Sequence, residues 1–288
     1  MPGDVFQMID PSGGVFTLND DTVTFLLGED GFGLDGLSFI EEKTPYVDGT
    51  THKGLYTSPR EPVIFLAAMK DSQANLQTFE EQLTRNLNPY KGEFTLRVTR
   101  MDGRTRDIKA RLNAYPWSTK DKDGPVYATR KLIFRCPDPH FYDPTQASQS
   151  TTLGPLGLTL PFNLAQTLPT ASMDTTFSSQ NAGDLDTYPV MVVAGPGTNP
   201  VITNNTSGKV MSLTKVLDTG DTVTIDMLAA TIAWYDSSAG TTTSILHLRS
   251  AASVFWPLVR GSNSIRVQMT SANMGSISMT YYNRYLVA

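Results

Sequence analysis

The 288-residue sequence predicts a mainly β protein: a β-barrel-like N-terminal domain with one amphipathic helix, then a C-terminal β-sandwich. Three observations lead there. Segments 221–227, 264–270 and 276–281 put an apolar residue at every second position: Val223, Ile225, Met227; Ile265, Val267, Met269; Ile277, Met279, Tyr281. A period of two sends those side chains to one sheet face and the Ser, Thr and Asp set to the other, and several such strands between Gly, Asn and Ser turns make a sandwich. Charge then divides the chain, since residues 1–144 hold 17 Lys/Arg and 21 Asp/Glu while residues 145–288 hold 6 and 7. Finally, a helical period appears clearly once, between positions 72 and 87. These observations place a first domain at 1–144, a linker with at most one strand at 145–180, and the sandwich at 181–288.

In chain order, Thr22-Val-Thr-Phe-Leu-Leu27 and Pro62-Val-Ile-Phe-Leu-Ala67 read as buried strands. Leu76, Phe79, Leu83 and Leu87 then recur at three and four residues, giving one apolar helix stripe. Asp71 or Ser72 caps its start, Glu81 and Arg85 are spaced to pair, and Asn88-Pro89 ends it. A hairpin follows, with Phe94, Leu96 and Val98 facing one way and Ile108, Ala110 and Leu112 facing one way. Opposed residues share a face, so these sets match only across an odd number of loop residues. A loop Met101-Asp102-Gly103 with left-handed Gly103 pairs Leu96 with Ile108 and Phe94 with Ala110. The other face carries Thr95, Arg97, Thr99, Asp107, Lys109 and Arg111, and reads either as a solvated face or as one that meets a neighbouring subunit. Segment 126–134 is a further strand. Cys136-Pro-Asp-Pro-His-Phe-Tyr-Asp-Pro144 is a stiff exit that its prolines bar from a central strand, and Phe141 and Tyr142 are placed to pin it. Leu158-Thr-Leu-Pro-Phe162 is the one apolar patch in the linker. No internal repeat is visible.

Catalytic chemistry is poorly supplied. Gly31-Phe-Gly33-Leu-Asp-Gly36 matches the dinucleotide pattern G-x-G-x-x-G, but residues 37–45 lack the helix whose N-terminus would hold a pyrophosphate. His52, His140 and His247 are scattered, no G-x-S-x-G elbow occurs, and Cys136 reads as a small buried residue. Asp20-Asp21 and Glu41-Glu42 are adjacent, which points their side chains apart in a strand and away from a shared metal. Asn204-Asn-Thr-Ser207 contains glycosylation sequons that read as turn residues. Trp117, Trp234 and Trp256 read as core or rim residues, or as a sugar-stacking platform. The net charge of −5 excludes a strongly basic duplex-binding surface and suits passage of a polyanion without adhesion. The first ten residues lack a basic start and apolar core, and no segment reaches 18 apolar residues, so the expectation is a soluble protein made inside a cell, without membrane insertion.

A family resemblance covers nearly the whole chain. In the first half it is carried by Tyr56-Thr-Ser-Pro59-Arg60 before an apolar strand, the amphipathic helix, and Asp138-Pro-His-Phe-Tyr142. In the second it is carried by Asn181-Ala-Gly-Asp184 with Tyr188-Pro189, Gly195-Pro-Gly, Asn199-Pro-Val-Ile-Thr-Asn204 and Thr219-Gly-Asp-Thr-Val-Thr-Ile-Asp226. Pro257-Leu258, Gly261-Ser-Asn-Ser-Ile265 and Tyr281-Tyr-Asn-Arg-Tyr285 complete it. In order and spacing the chain resembles the distal tail proteins of long-tailed, siphovirus-type bacteriophages. The resemblance implies a homo-hexameric ring at the tail tip, built by N-terminal domains, with galectin-like C-terminal sandwiches projecting outward. It implies as partners the tail tube protein, the tail-tip hub or tail-associated protein and a receptor-binding protein, with transient, sequence-independent DNA passage. It also implies location at the virion tail tip after synthesis in the host bacterial cytoplasm, and no enzyme activity, cofactor or metal.

Candidate interface residues under this reading are Arg97, Met101, Asp102, Gly103, Lys109 and Arg111, with segment 41–55 as a second candidate because long extensions between strands reach neighbours. The alternative is a carbohydrate-binding module for a bacterial surface saccharide, with Trp234 and Trp256 as contacts. A wall hydrolase, the third class, lacks a convincing pair of carboxylates. The expectation for fragments is that 1–144 oligomerises and 178–288 stays monomeric.

Overall fold

A computed structural model describes residues 3–20, 24–34, 36–46, 48–114, 126–152, 172–270 and 275–288. Trp117, the patch at 158–162, Asp21 and Thr22 lie outside the described residues. The chain forms two compact units: Met1–Pro144 with Tyr285–Ala288, and Thr145–Arg284.

Unit 1 contains strands β1 (Val5–Ile9), β2 (Val15–Thr17), β3 (Thr24–Asp30), β4 (Leu37–Glu42), β5 (Thr51–Thr57) and β6 (Val63–Met69), then helix α1 (Gln73–Asn86). Strands β7 (Phe94–Thr99), β8 (Thr105–Ala114), β9 (Tyr127–Arg135) and β10 (Phe141–Tyr142) follow. Its main sheet runs β2-β1-β7-β8-β9-β6-β3, while β4 and β5 pair with each other as a separate two-stranded element. Helix α1 starts where its cap predicts, with Ser72 Oγ accepting the Asn75 N–H. Leu76, Phe79, Leu83 and Leu87 all enter the core. The β7–β8 hairpin has the predicted register, Phe94 opposite Ala110 and Leu96 opposite Ile108. Its loop closes through Gly103 N–H to the Arg100 carbonyl at 2.9 Å, with Gly103 at φ +86°. A side chain is disfavoured at that angle, and this is why glycine stands there.

A buried cation organises one end of this unit. Arg60 is 2% exposed. Its guanidinium donates to the carbonyls of Pro139 (3.1 Å), Gly31 (3.0 Å), Gly33 (2.5 Å) and Leu286 (2.9 Å), and lies 4.9 Å from the Phe141 ring centroid. Its backbone exchanges hydrogen bonds with Cys136 at 3.0 and 2.8 Å. The glycine pattern at 31–36 therefore supplies carbonyl acceptors to Arg60, and the segment after it is strand β4 rather than a phosphate-binding helix. Pro139 and Phe141, in the exit motif, face the same cation. Beside them, the Asp138 carboxylate accepts from His140 N–H (3.2 Å) and the Tyr142 hydroxyl (2.5 Å), with His140 Nδ1 at 2.7 Å.

Unit 2 is a sandwich of two antiparallel sheets. Its strands are β11 (Ala147–Thr152), β12 (Met173–Asn181), β13 (Val190–Ala194), β14 (Gly197–Asn204), β15 (Lys209–Ser212), β16 (Val216–Leu217), β17 (Thr222–Asp226), β18 (Thr231–Asp236), β19 (Thr241–Ser244), β20 (Gly261–Thr270) and β21 (Ser276–Tyr281). One sheet runs β11-β21-β13-β17-β18-β19; the other runs β12-β20-β14-β15, with β16 also on β14. All nine alternating residues that predicted the sandwich are buried in its core. The mainly β class with a single α-helix among the described residues is borne out.

Two strands lie where the sequence reads as a linker. Strand β11 pairs with β21 from Ala147–Tyr281 to Thr152–Ser276, and β12 pairs with β20 over nine residues. Both are edge strands. Apart from buried Ser179, their Ser, Thr and Gln residues are exposed or half-buried, so the apolar alternation that announces a half-buried strand is weak in them. Residues 285–288, expected in the sandwich, belong instead to unit 1, where Tyr285 and Ala288 pack against its core.

Cys136 adjoins the Arg60 knot and reports on it. Burial pushes its thiol up to about 12, although the Arg60 charge pulls the other way. Its thiolate, the reactive form, is therefore scarce in the folded protein. Replacing Arg60 with Met removes the donor to four carbonyls, at a cost of about 3 kcal/mol or more. The expected outcome is a lower urea midpoint for unit 1, together with labelling of Cys136 by a thiol reagent at concentrations that leave the native protein unlabelled.

Candidate assembly surfaces

The predicted interface residues fall on one hairpin whose polar groups are already largely paired. Across the β7–β8 rows, Thr95 faces Lys109, Arg97 faces Asp107 and Thr99 faces Thr105. Arg97 makes two 2.8 Å bonds to Asp107, whose hydrogen bond and charge raise the guanidinium's already high pKa. Lys109 Nζ donates to Thr95 Oγ1 at 2.8 Å, and Arg111 lies 3.8 Å from Glu93. These contacts give the solvated-face reading its physical content, since each charge has a cross-strand neighbour.

The tip differs. Met101 is 70% exposed, yet its backbone is fixed. Asp4 accepts from Met101 N–H (2.8 Å) and from Arg100 (2.7 Å), and Arg100 also bonds Glu29. Asp102 accepts from the backbone and side chain of Arg104. An apolar side chain thus stands on a rigid loop.

A larger apolar surface belongs to the β4–β5 arm. Phe39 lies opposite Leu55, Ile40 opposite Gly54 and Ser38 opposite Tyr56. Alternation therefore places Phe39 and Leu55 on one face and Ile40 and Tyr56 on the other. All four are more than half exposed, and the fully exposed Tyr46 lies in the turn between the strands. A two-stranded hairpin with apolar groups in water on both faces is marginally stable alone, and such patches mark interaction surfaces. Among the described residues of the arm, an exposed Lys53–Glu42 pair at 2.7 Å, a Thr50–Glu41 hydrogen bond at 2.8 Å and a Phe39–His52 edge contact add to its ladder. The sequence reading named 41–55 for its reach. The apolar residues sit at both roots of the arm, and the short run Leu37-Ser-Phe-Ile40 was the available signal.

The tryptophans proposed for sugar contact are not arranged as a platform. Trp256 is fully buried in the sandwich core, so neither ring face is open to a saccharide. Trp234 is partly buried, with the Lys215 ammonium 3.2 Å from a ring centroid and its Nε1 donating to Asp221 at 3.2 Å. His52 lies in the arm, His140 in the exit and His247 in a short 3-10 turn (Leu246–Leu248), well apart along the fold. Among the described residues no group of three or more His, Cys, Asp or Glu side chains is placed to hold a metal, and no helix is long and apolar enough to cross a membrane.

The second-half motifs quoted above are turn-closing devices. Buried Asn181 donates to the carbonyls of Leu185 (2.9 Å) and Leu258 (3.1 Å) and accepts Gly183 N–H (3.0 Å). Asn263 binds both the N–H and carbonyl of Val259. Asn204, at the first sequon, is buried and accepts from Thr206 and Ser207 N–H. Asp221 accepts from Ser237 N–H and Oγ (both 2.9 Å), Asp218 N–H and Trp234. The motif at 181–184 also meets the motif at 281–285: Ala182 N–H reaches Asn283 Oδ1 (3.1 Å), and Asp184 and Leu185 N–H reach the Arg284 carbonyl (2.8 and 3.2 Å).

Residues 182–285 match the family of siphovirus-type tail components, C-terminal domain. The matched residues make up most of unit 2. Across the whole chain the fold is similar to the crystal structure of SPP1 Dit (gp 19.1), described as a paradigm of hub adsorption apparatus in Gram-positive infecting phages. The TM-score is 0.64 at 15% identity, covering 97% of this chain and 99% of that one. It is also similar to a chain of the phage P2 baseplate in its activated conformation with Ca, at TM-score 0.56, 8% identity and full coverage of both chains. The corresponding baseplate with Sr gives 0.51 at 10% identity, covering 97% and 98%. No curated protein matches the chain by sequence. The resemblance to distal tail proteins is borne out, in sequence over residues 182–285 and in fold over nearly the whole chain.

Asp221 makes unit 2 acid-sensitive in a defined way. Burial pushes its carboxyl up, but the donors from Ser237, Asp218 and Trp234 together hold it below the ordinary carboxylate value. A depressed folded pKa stabilises above the unfolded value, near pH 4, and that stability is lost as pH falls through the folded value. Urea midpoints of the wild-type second unit should therefore drop below pH 4. Asp221→Asn should be less stable at pH 7 and show an acid slope shallower by about one proton.

Proposed function

We propose that this protein is the subunit of a ring at the distal end of a phage tail, closed by six copies. The ring joins the tail tube to the tail-tip hub and anchors adhesion components such as a receptor-binding protein. Copy-to-copy contacts are made by unit 1, through the β4–β5 arm and the tip of the β7–β8 hairpin at Met101, Asp102 and Gly103, with Arg97, Lys109 and Arg111 flanking. Unit 2 is the outward platform. DNA crosses the ring transiently and without sequence recognition, and the subunit is made in the host cytoplasm before joining the virion. The observation that carries this reading is the arm, whose apolar residues on both faces lack cover in the single chain. The likeness in fold to hub and baseplate proteins supports the setting.

The saccharide-binding alternative loses its two contact residues, one buried and one occupied by Lys215, and no other observation favours it. Light scattering on the purified protein tests the ring. Six copies of 31.5 kDa give about 190 kDa, and negative-stain images of that fraction should show a central hole. The double change Phe39→Ser and Leu55→Ser should reduce the mass to that of a monomer or small oligomer. It should leave the urea midpoint of unit 2 unchanged, because both residues lie in the arm. A full-size ring from the double variant would remove the arm from the interface.

A further inference from the structure

The chain crosses between the units twice, at Pro144–Thr145 and again at Arg284–Tyr285. On each side of the second crossing it is held at successive residues. Within unit 2, Thr187 Oγ1 donates to the Tyr282 carbonyl at 2.5 Å, Asn283 accepts Ala182 N–H, and the Arg284 carbonyl accepts two N–H groups of the 181–185 turn. Within unit 1, the Arg106 guanidinium stacks 3.6 Å from the Tyr285 ring centroid, and the Tyr285 hydroxyl donates to Asp143 at 3.2 Å. The Leu286 carbonyl accepts from Arg60, and Ala288 N–H donates to the Phe32 carbonyl at 3.2 Å.

We propose that Tyr285–Ala288 is a strap through which folding of unit 2 controls completion of unit 1. The argument is one of loop closure. Tyr285 and Asp143 are 142 positions apart. With unit 2 unfolded, the strap reaches its seat only by closing that entire loop. Folded unit 2 closes the loop itself, because Ala147 near its entry is the cross-strand partner of Tyr281 near its exit. The effective loop then shrinks from about 140 residues to about ten. Closure entropy scaling as the three-halves power of length makes the seated strap on the order of 50-fold more favourable. A unit 1 without its seated strap leaves the Arg60 guanidinium without the Leu286 acceptor and the core without Tyr285 and Ala288. Assembly surfaces on unit 1 thus become fully formed once the outward platform is folded. This also alters the fragment expectation, since residues 1–144 lack part of unit 1. The inference rests on the division of the chain and does not depend on a ring of six.

Hydrogen exchange of the full-length chain, read by mass spectrometry, tests it. Gly183→Ala loosens the grip on Arg284, because an added Cβ would stand against the Arg284 carbonyl and 2.7 Å from its nitrogen. Asn283→Ala is the milder second variant, removing the acceptor of the Ala182 N–H. Both alter unit 2 alone. Each should nevertheless lower protection by several-fold in unit 1 around Phe32 and Phe141–Tyr142. In a chain whose residues 285–288 are replaced through Tyr285→Gly, Leu286→Ser, Val287→Gly and Ala288→Ser, that protection should already be low, and Asn283→Ala should lower it no further. Loss of protection confined to unit 2 in the Asn283→Ala chain, with unit 1 unchanged, would overturn the proposal. So would native protection of unit 1 in the strap-replaced chain.

Discussion

One buried guanidinium sets much of unit 1. Placing a cation where it is 2% exposed is unfavourable unless its donors are satisfied, and Arg60 meets that condition with backbone carbonyls from three separate places in the chain. Gly31 and Gly33 belong to the loop before the arm, Pro139 to the proline-rich exit, and Leu286 to the returning strap. The planar fork of arginine suits several convergent acceptors better than the point charge of lysine does. Because every one of these groups is fixed by the same side chain, the arm's root, the exit and the strap are positioned together. The motif ending in Pro59-Arg60 thus matters for what its last residue gathers.

The two units differ in how they place polar and apolar groups. Unit 2 satisfies itself: its alternating strands bury their apolar halves, and its turns are closed by Asn181, Asn204, Asn263 and Asp221, four buried polar side chains that supply partners to backbone groups. What remains outside is rich in Ser and Thr with few charges, together with exposed apolar residues such as Val216 and Leu228. Unit 1 instead leaves Phe39, Ile40, Leu55, Tyr56 and Met101 in water, each on a β-hairpin that projects its own side chains. Clustered exposure of this kind is the feature that marks interaction surfaces, and the polar pairing along the β7–β8 rows confines the apolar exposure of that hairpin to its tip.

Local chemistry made parts of this architecture legible from the sequence and left others silent. The hairpin register followed from parity, because opposed residues must share a face and Gly103 permits the odd loop. The helix followed from a single stripe with Ser72 before it, and the sandwich core from strict alternation at nine positions. Strands β11 and β12 escaped because edge strands need little apolar alternation. The burial of Trp256 and the pairing of Lys215 with Trp234 are contacts between distant segments, which neither composition nor period records. Arg60 escaped for the same reason. A lone arginine after a proline reads as a surface residue, and only the fold shows that Gly33, Pro139 and Leu286 converge on it. The apolar arm was half legible, since its reach was visible while the period of Leu37-Ser-Phe-Ile40 was too short to specify a strand.

The contrast between the units also accounts for where likeness to known proteins is detectable. The family match spans 182–285, whereas similarity of fold extends over 97% of the chain. A core such as that of unit 1 demands apolar residues of suitable size, and many substitutions meet that demand while preserving the fold. A buried polar network is less permissive. Asn263 must accept from the Val259 N–H and donate to the Val259 carbonyl at once, and an apolar residue of the same size loses both bonds. Asn204 and Asp221, each accepting from several N–H groups, are constrained in the same manner. Sequence identity is thus tied to structure most tightly where side chains close turns. Those positions lie in unit 2, so unit 2 carries a readable signature. Unit 1 is recognised by the path of its backbone.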